Sequence, residues 1–174
     1  PGHLKIAMAS LSPQEEKTLR AAARVANETG LSLTVHPSSK IGGNSVQIVK
    51  ILLEEGMKAD RIVIAHVTGT FWETDLKTLV LQPGSWGLRL DTARALLDLG
   101  VNISMEFIGN TMDVELAGEI WPSDWQRFAG IVTLLKEGYG GQMVMGTDLC
   151  VKMATRRFGG EGYCRLTKFA LPTL

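Results

Sequence analysis

A chain of 174 residues, 45% hydrophobic and 21% charged, has the size and composition of one globular domain with a real core. Its 18 basic and 18 acidic side chains cancel and no Lys/Arg block occurs, which removes the electrostatic footprint of a nucleic-acid or anionic-membrane partner. No apolar run approaches the roughly 18 to 20 residues of a membrane span, and no charged-then-apolar leader opens the sequence; a cytoplasmic address is expected. Cys150 and Cys164 are too few for a disulfide framework and fit no zinc ribbon, so reduced thiols are expected.

Taken in order, apolar runs alternate with amphipathic ones. Leu4 to Met8 sets Leu4, Ile6 and Met8 against Lys5, Ala7 and Ala9, so a strand here puts the lysine on a face of small residues; a solvated lysine on an edge strand is the plainer alternative. Ser12-Pro13-Gln14-Glu15 predicts a helix start, with serine as N-cap, proline at the first helical position and glutamate closing a capping box. Leu19, Ala22, Ala23 and Ala26 make its buried stripe, and Gly30 ends it. Leu31 to His36 reads as a second strand, with Ser32, Thr34 and His36 forming the kind of polar row that lines a barrel lumen. A helix from about Asn44 to Glu55 buries Val46, Val49 and Ile51 to Leu53 and stops at Gly56. Arg61 to His66 is a third strand, nearly continuous in apolar residues, as expected of a parallel strand covered on both faces.

From Thr68 to Arg89 the pattern loosens around Trp72, Pro83 and Trp86, predicting a short helix and a long loop of the kind that carries function, ahead of a helix near Asp91 to Leu99. Val101 to Phe107 is the fourth strand, with Glu106 near its end. After a loop through Trp121, Ser123-Asp-Trp-Gln126 is a second capping box, opening a helix that runs to about Glu137 and stops at Gly138. Gln142 to Thr147 is the fifth strand and stops on Asp148. The last segment, with Gly159, Gly160 and Gly162, leads into a helix cut short at Leu174. Trp121 and Trp125 read as a packing pair, Cys150 as a small core residue and His3 as structural.

Strands alternating with helices at short, even spacing predict a parallel α/β sheet, either doubly wound or a (β/α)8 barrel. The barrel fits better, because side chains able to hold a metal close several different strands, and that fold builds its sites at the C-terminal strand ends. Five units do not close eight strands, and a full barrel takes roughly 250 residues. The expectation is therefore the C-terminal part, about strands 4 to 8, of a (β/α)8 TIM-type barrel, as a single domain over residues 1–174 that is incomplete at both ends. A lone histidine is commonly structural. His36, His66 and Asp148, each ending a predicted strand, together point to a metal site, since imidazole and carboxylate are the usual ligands of a catalytic Zn²⁺.

The residues also carry a resemblance. Leu4-Lys-Ile, the run Leu19-Arg-Ala-Ala-Ala23 leading to Thr29-Gly30 and Val35-His36, Ile62-Val-Ile-Ala-His66, and above all Gly146-Thr-Asp-Leu-Cys-Val-Lys152 followed by Phe158-Gly-Gly-Glu-Gly-Tyr163, resemble the phosphotriesterase-related family of the amidohydrolase superfamily, nearly end to end. Met105-Glu-Phe107 matches that family's seventh strand, with Ile108 where an aspartate is common.

The resemblance implies a zinc-dependent hydrolase acting on ester-type bonds (phosphotriester, lactone or related carboxylic ester) through a metal-bridging hydroxide, with two divalent metal ions. Lys5 would be the strand-four lysine carbamylated by CO₂, a change that turns an unfavourable buried cation into a metal-ligating anion. His36 and His66 would hold one metal and Asp148 the other, Asp148 also accepting a proton. The family's His-x-His pair of strand one has no counterpart in these 174 residues. Trp72, Trp86 and Phe107 are candidates to rim a substrate pocket. The implied partner is a small-molecule substrate, with no nucleic acid or membrane, and the chain alone is expected to homodimerise or aggregate through free strand edges. Two rivals stay open: a non-catalytic binding or scaffold protein on a decayed or partial amidohydrolase barrel, and a deoxyribonuclease-type amidohydrolase, which typically has a strand-four glutamate where this chain has Lys5.

Overall fold

A computed structural model describes residues 2–37, 44–71, 81–82, 87–109 and 122–174. The strands are β1 (His3–Met8), β2 (Ser32–Pro37), β3 (Ile62–Ile64), β4 (Asn102–Met105) and β5 (Met143–Met145), and the main helices are α1 (Pro13–Thr29), α2 (Ser45–Glu54), α3 (Asp91–Asp98) and α4 (Asp124–Lys136). All strand pairs are parallel and the sheet order is β1-β2-β3-β4-β5. Because strand crossovers are right-handed, an order that never reverses stacks every helix on one face, whereas a doubly wound sheet reverses at a switch point. The barrel alternative is therefore the one realised, as five consecutive units of it.

Burial follows from that layering. Leu33, Val35, Ile62, Ile64, Ile103 and Met105 point into the helix side and are fully covered by Leu19, Ala23, Ile48, Leu52, Ala93, Leu96, Ile131 and their neighbours. On the other face Lys5, Ala7 and Val144 are exposed. A third strand covered on both faces was expected; instead Ile62 and Ile64 are buried and Val63 between them is only half-buried.

Both predicted capping boxes form, at Ser12/Glu15 and Ser123/Gln126, and Gly30 closes α1 in the left-handed conformation at φ 70°. Glu15 does more than cap. Its carboxylate accepts hydrogen bonds from the backbone N–H groups of Ala9, Ser10 and Ser12 and from the Ser10 hydroxyl, at 2.6–3.0 Å. These bonds hold its pKa down at about 2 and fix the loop that leaves β1. A second clamp lies beyond β4. Asp124, at the start of α4, accepts from the Gly109 N–H at 3.0 Å and pairs with Arg127 (3.3 Å) and Arg165 (3.1 Å), while the buried Arg127 guanidinium donates to the Phe107 carbonyl at 3.0 Å.

The ends of β3, β4 and β5 come out shorter than predicted, while β2 runs on to Pro37. Arg61 belongs to a 3-10 turn (Ala59–Arg61), and His66, Phe107 and Asp148 lie just past their strands. A 3-10 turn at Val67–Phe71 starts the loosely patterned stretch. Cys150, expected in the core, is exposed: it sits in the loop past β5, beyond the reach of the helix layer. Trp125 is 63% exposed and packs edge-on to Phe128 and Phe169; its expected partner Trp121 lies outside the described residues. The last helix resolves into a π turn (Leu166–Ala170) running into Leu171–Thr173.

Candidate metal centre

The strand register collects the polar residues. Lys5 pairs with Thr34 and Ala7 with His36 across β1 and β2; Val63 pairs with Asn102, and Ser104 with Val144. Partners in parallel strands share a face, and side chains alternate faces along each strand. Lys5, His36, Ser104 and Glu106 therefore all belong to the helix-free face. Strict alternation would send His66 to the opposite, core-facing side, because it follows the buried Ile64 by two. Its φ of 58° breaks that alternation and brings the ring back among the polar groups.

Four described non-glycine residues have positive φ, and three of them, His66, Phe107 (65°) and Asp148 (41°), stand at the C-terminal ends of β3, β4 and β5. A left-handed L-residue costs about 1–2 kcal/mol, and such strain gathers at functional sites. Backbone bonds past the strands hold these bends: Ala65 N–H donates to the Val35 carbonyl, and Gly146 N–H to that of Met105, both at 2.9 Å.

Around His66 the contacts are short. Its Nε2 lies 2.6 Å from His36 Nδ1, the rings meeting edge-on at 78°. On its other side Nδ1 lies 2.6 Å from Glu106 Oε2 and 4.0 Å from Asp148 Oδ2. Glu106 Oε2 also accepts the His66 backbone N–H at 3.1 Å, and Oε1 accepts the Ser104 hydroxyl at 3.0 Å. The Nδ1–Oε2 approach is too oblique for a hydrogen bond, so among the described residues this buried nitrogen has no hydrogen-bond partner. Phe107, buried at 8% exposure, stacks on the His66 ring at 4.9 Å and 26°.

Electrostatics favour the forms a cation needs. Burial, then His66 and Lys5, keep the His36 pKa below the usual histidine value, so its imidazole is neutral and free to ligate. For Glu106 burial pushes upward, but the contacts with His66 and Ser104 outweigh it and hold the carboxyl below its ordinary range.

The donor set has the chemistry of a divalent-metal site. Two imidazole nitrogens face each other at 2.6 Å, a hydrogen-bond distance that would have to open to about 3.4 Å to share one ion, and His66, Glu106 and Asp148 each offer an atom within 4.8 Å of the others. Of the residues marked by sequence, His36, His66 and Asp148 come together. Lys5 lies on the same face but is not the buried cation expected: it is exposed, because its strand is the edge strand, and it is close enough for its charge to act on His36. His3 opens β1 and is exposed. Phe107 walls the histidine, while Trp72 and Trp86 lie outside the described residues. Glu106 was missed as a site residue. Its signal was parity, two residues beyond Ser104 on the polar side of β4.

Five parallel strands in barrel order thus gather imidazoles and carboxylates at their C-terminal ends, and the sequence relationships say which family builds such a sheet. The sequence profile of the Phosphotriesterase family matches residues 2–174, and the chain belongs to that family. It is 29% identical to the N-acetyltaurine hydrolase of Dictyostelium discoideum over 94% of this chain and 40% of that one, and 29% identical to a phosphotriesterase-related protein of Nematostella vectensis over 94% and 43%. Among solved structures, the organophosphorus hydrolase from Deinococcus radiodurans superposes with TM-score 0.66 at 28% identity, covering 84% of this chain and 38% of that one. The phosphotriesterase homology protein from Escherichia coli shares the fold with TM-score 0.74 at 22% identity, over 98% of this chain and 50% of that one. The chain thus spans about 40% of the length of the curated relatives it matches.

Proposed function

We propose that this chain supplies the strand-end ligands of a zinc-dependent hydrolase that acts on ester-type bonds of a small-molecule substrate. The observation that carries the reading is the convergence of His36 Nδ1 and His66 Nε2 at 2.6 Å beside Asp148. A bound divalent ion would polarise the scissile group and supply an activated water near neutral pH. His36 and His66 would hold one ion. Asp148, partly exposed at the mouth of the site, would ligate a second and accept the water's proton. Lys5 would bridge the two as its CO₂-derived carbamate, for which its open, solvated position leaves room. A small-molecule substrate is part of the proposal: the balanced charge offers no electrostatic footprint for a nucleic acid, and among the described residues no helix is long and apolar enough to cross a membrane. A cytoplasmic address is part of the same proposal.

Relatives matching 94% of the chain are named N-acetyltaurine hydrolases, which favours an N-acyl amide as the second substrate reading. The scaffold alternative is disfavoured by strain kept at three strand ends that a decayed site would be free to relax. The test is metal binding and turnover with phosphotriester, lactone, carboxylic ester and N-acyl amide substrates. It uses this chain and a version extended to the length of its relatives, with bicarbonate supplied. Metal binding that rises with bicarbonate and is lost in Lys5→Ala supports the carbamate. Absence of metal-dependent turnover on every substrate in both forms would favour the scaffold.

A further inference from the structure

His66 can meet a metal through either nitrogen. Nε2 faces His36 Nδ1 at 2.6 Å, while Nδ1 faces Glu106 Oε2 at 2.6 Å with Asp148 Oδ2 at 4.0 Å. The two choices give Glu106 different roles. In the first it supports the histidine, and in the second it is itself a ligand.

Glu106 is held from behind. The Ser104 hydroxyl donates to Oε1 at 3.0 Å and the His66 backbone N–H donates to Oε2 at 3.1 Å, so the carboxylate cannot turn away from the ring without losing both bonds. An ionised carboxylate only accepts. Pressed at 2.6 Å against a ring nitrogen, it repels a lone pair and attracts a proton; the approach is oblique, but the sign of the interaction depends on which of the two the nitrogen carries. Phe107, stacked on the ring, and the left-handed backbone of His66 restrict the histidine from the other sides. A neutral imidazole carries one proton. If Nδ1 holds it, Nε2 presents its lone pair toward His36.

We propose that Glu106 is a positioning residue: it fixes His66 as the tautomer protonated on Nδ1, so that Nε2, not Nδ1, is the nitrogen offered to an ion shared with His36. Without an ion, His36 donates its Nδ1–H to His66 Nε2; with one, both nitrogens face it with lone pairs. Metal-binding histidines commonly have a carboxylate at their second ring nitrogen, here held at 2.6 Å by charge and not by an aligned hydrogen bond, and loss of such a partner typically costs about 10–100-fold in metal affinity. The inference deepens the metal-centre reading above, but its first test needs no metal.

The chain has three histidines, which makes ring ¹⁵N NMR assignable by single substitution. In the metal-free chain at neutral pH, His66 is expected to show a protonated Nδ1 and an unprotonated Nε2. Glu106→Gln, whose carbonyl oxygen can take the place of Oε2, should keep that tautomer; Glu106→Met, of similar length without an acceptor, should lose it. With ¹¹³Cd²⁺ added, scalar coupling should appear to His66 Nε2 and His36 Nδ1. Zn²⁺ affinity should fall about 10–100-fold in Glu106→Met and stay near the parent value in Glu106→Gln. Overturning results are a His66 protonated on Nε2 in the parent chain, cadmium coupling to Nδ1, or a glutamine variant as impaired as the methionine one, which would make Glu106 a ligand. A chain that binds no cadmium but keeps the Nδ1–H tautomer would support this assignment and count against the metal-centre reading. Should Glu106→Met fail to fold, the parent tautomer, the coupling and the glutamine variant still decide the matter.

Discussion

His36 and His66 come from neighbouring strands and touch nitrogen to nitrogen, Nδ1 to Nε2, at 2.6 Å. Two imidazoles that share an ion should fail together. We expect His36→Ala and His66→Ala each to cost more Zn²⁺ affinity than the ~10–100-fold typical of a supporting residue, and the double variant to lose little beyond either single one. His3→Ala, at the exposed start of β1, should change nothing. Calorimetric titration of the four proteins checks this, and additive losses from the two alanines would mean the histidines serve separate sites.

Glu15 gives a pH signature. Its folded pKa is lowered to about 2 from an ordinary 4.5. A depressed carboxyl stabilises the fold fully above the unfolded value, and that contribution fades as pH falls from 4.5 toward 2. Melting temperatures of the parent and Glu15→Gln should differ at pH 6 and converge by about pH 2. A gap unchanged across this window would assign the acid loss elsewhere.

The clamp at the base of α4 predicts an asymmetry. Asp124 is met by two guanidiniums and a backbone N–H, whereas the buried Arg127 has Asp124 as its ion-pair partner. Asp124→Ala strands a buried cation and should cost roughly 3–5 kcal/mol. Arg127→Met leaves Asp124 with Arg165 and Gly109, and should cost less. Denaturant midpoints measure both, and the reverse order would contradict the assignment of Asp124 as the hub.

Gly130, inside α4, faces Phe71 closely enough that an added Cβ would stand 2.4 Å from the ring. Helix propensity favours alanine there by about 1 kcal/mol, but overpacking costs about 1–3 kcal/mol, and Phe71 is fully buried. Gly130→Ala should therefore destabilise, and adding Phe71→Leu should recover part of the loss. A stabilised single variant would show that the ring has room to move.

Among the described residues the outer strands β1 and β5 each pair on one side only. Unpaired parallel edges recruit other chains, so the 174-residue chain should self-associate in sedimentation and hydrolyse substrates poorly. A stable, active monomer would be inconsistent with the open sheet.

Local chemistry was legible along the chain. Ser12 and Ser123 announced their helices because capping is settled within four residues, and the alternation in Leu31–His36 announced its faces because strand parity is equally local. The candidates His36, His66 and Asp148 could be found the same way, as ligand-type side chains closing apolar runs. Tertiary structure decided what those rules cannot reach. The sheet order chose a barrel over a doubly wound fold, since the direction of each crossover is a relation between distant segments. The positive φ of His66 overrode strand parity, and only the assembled backbone sustains that bend. Glu106 became part of the site because Ser104 and the His66 N–H, the latter forty residues away, hold its carboxylate against the ring, and such a contact has no local signature to read.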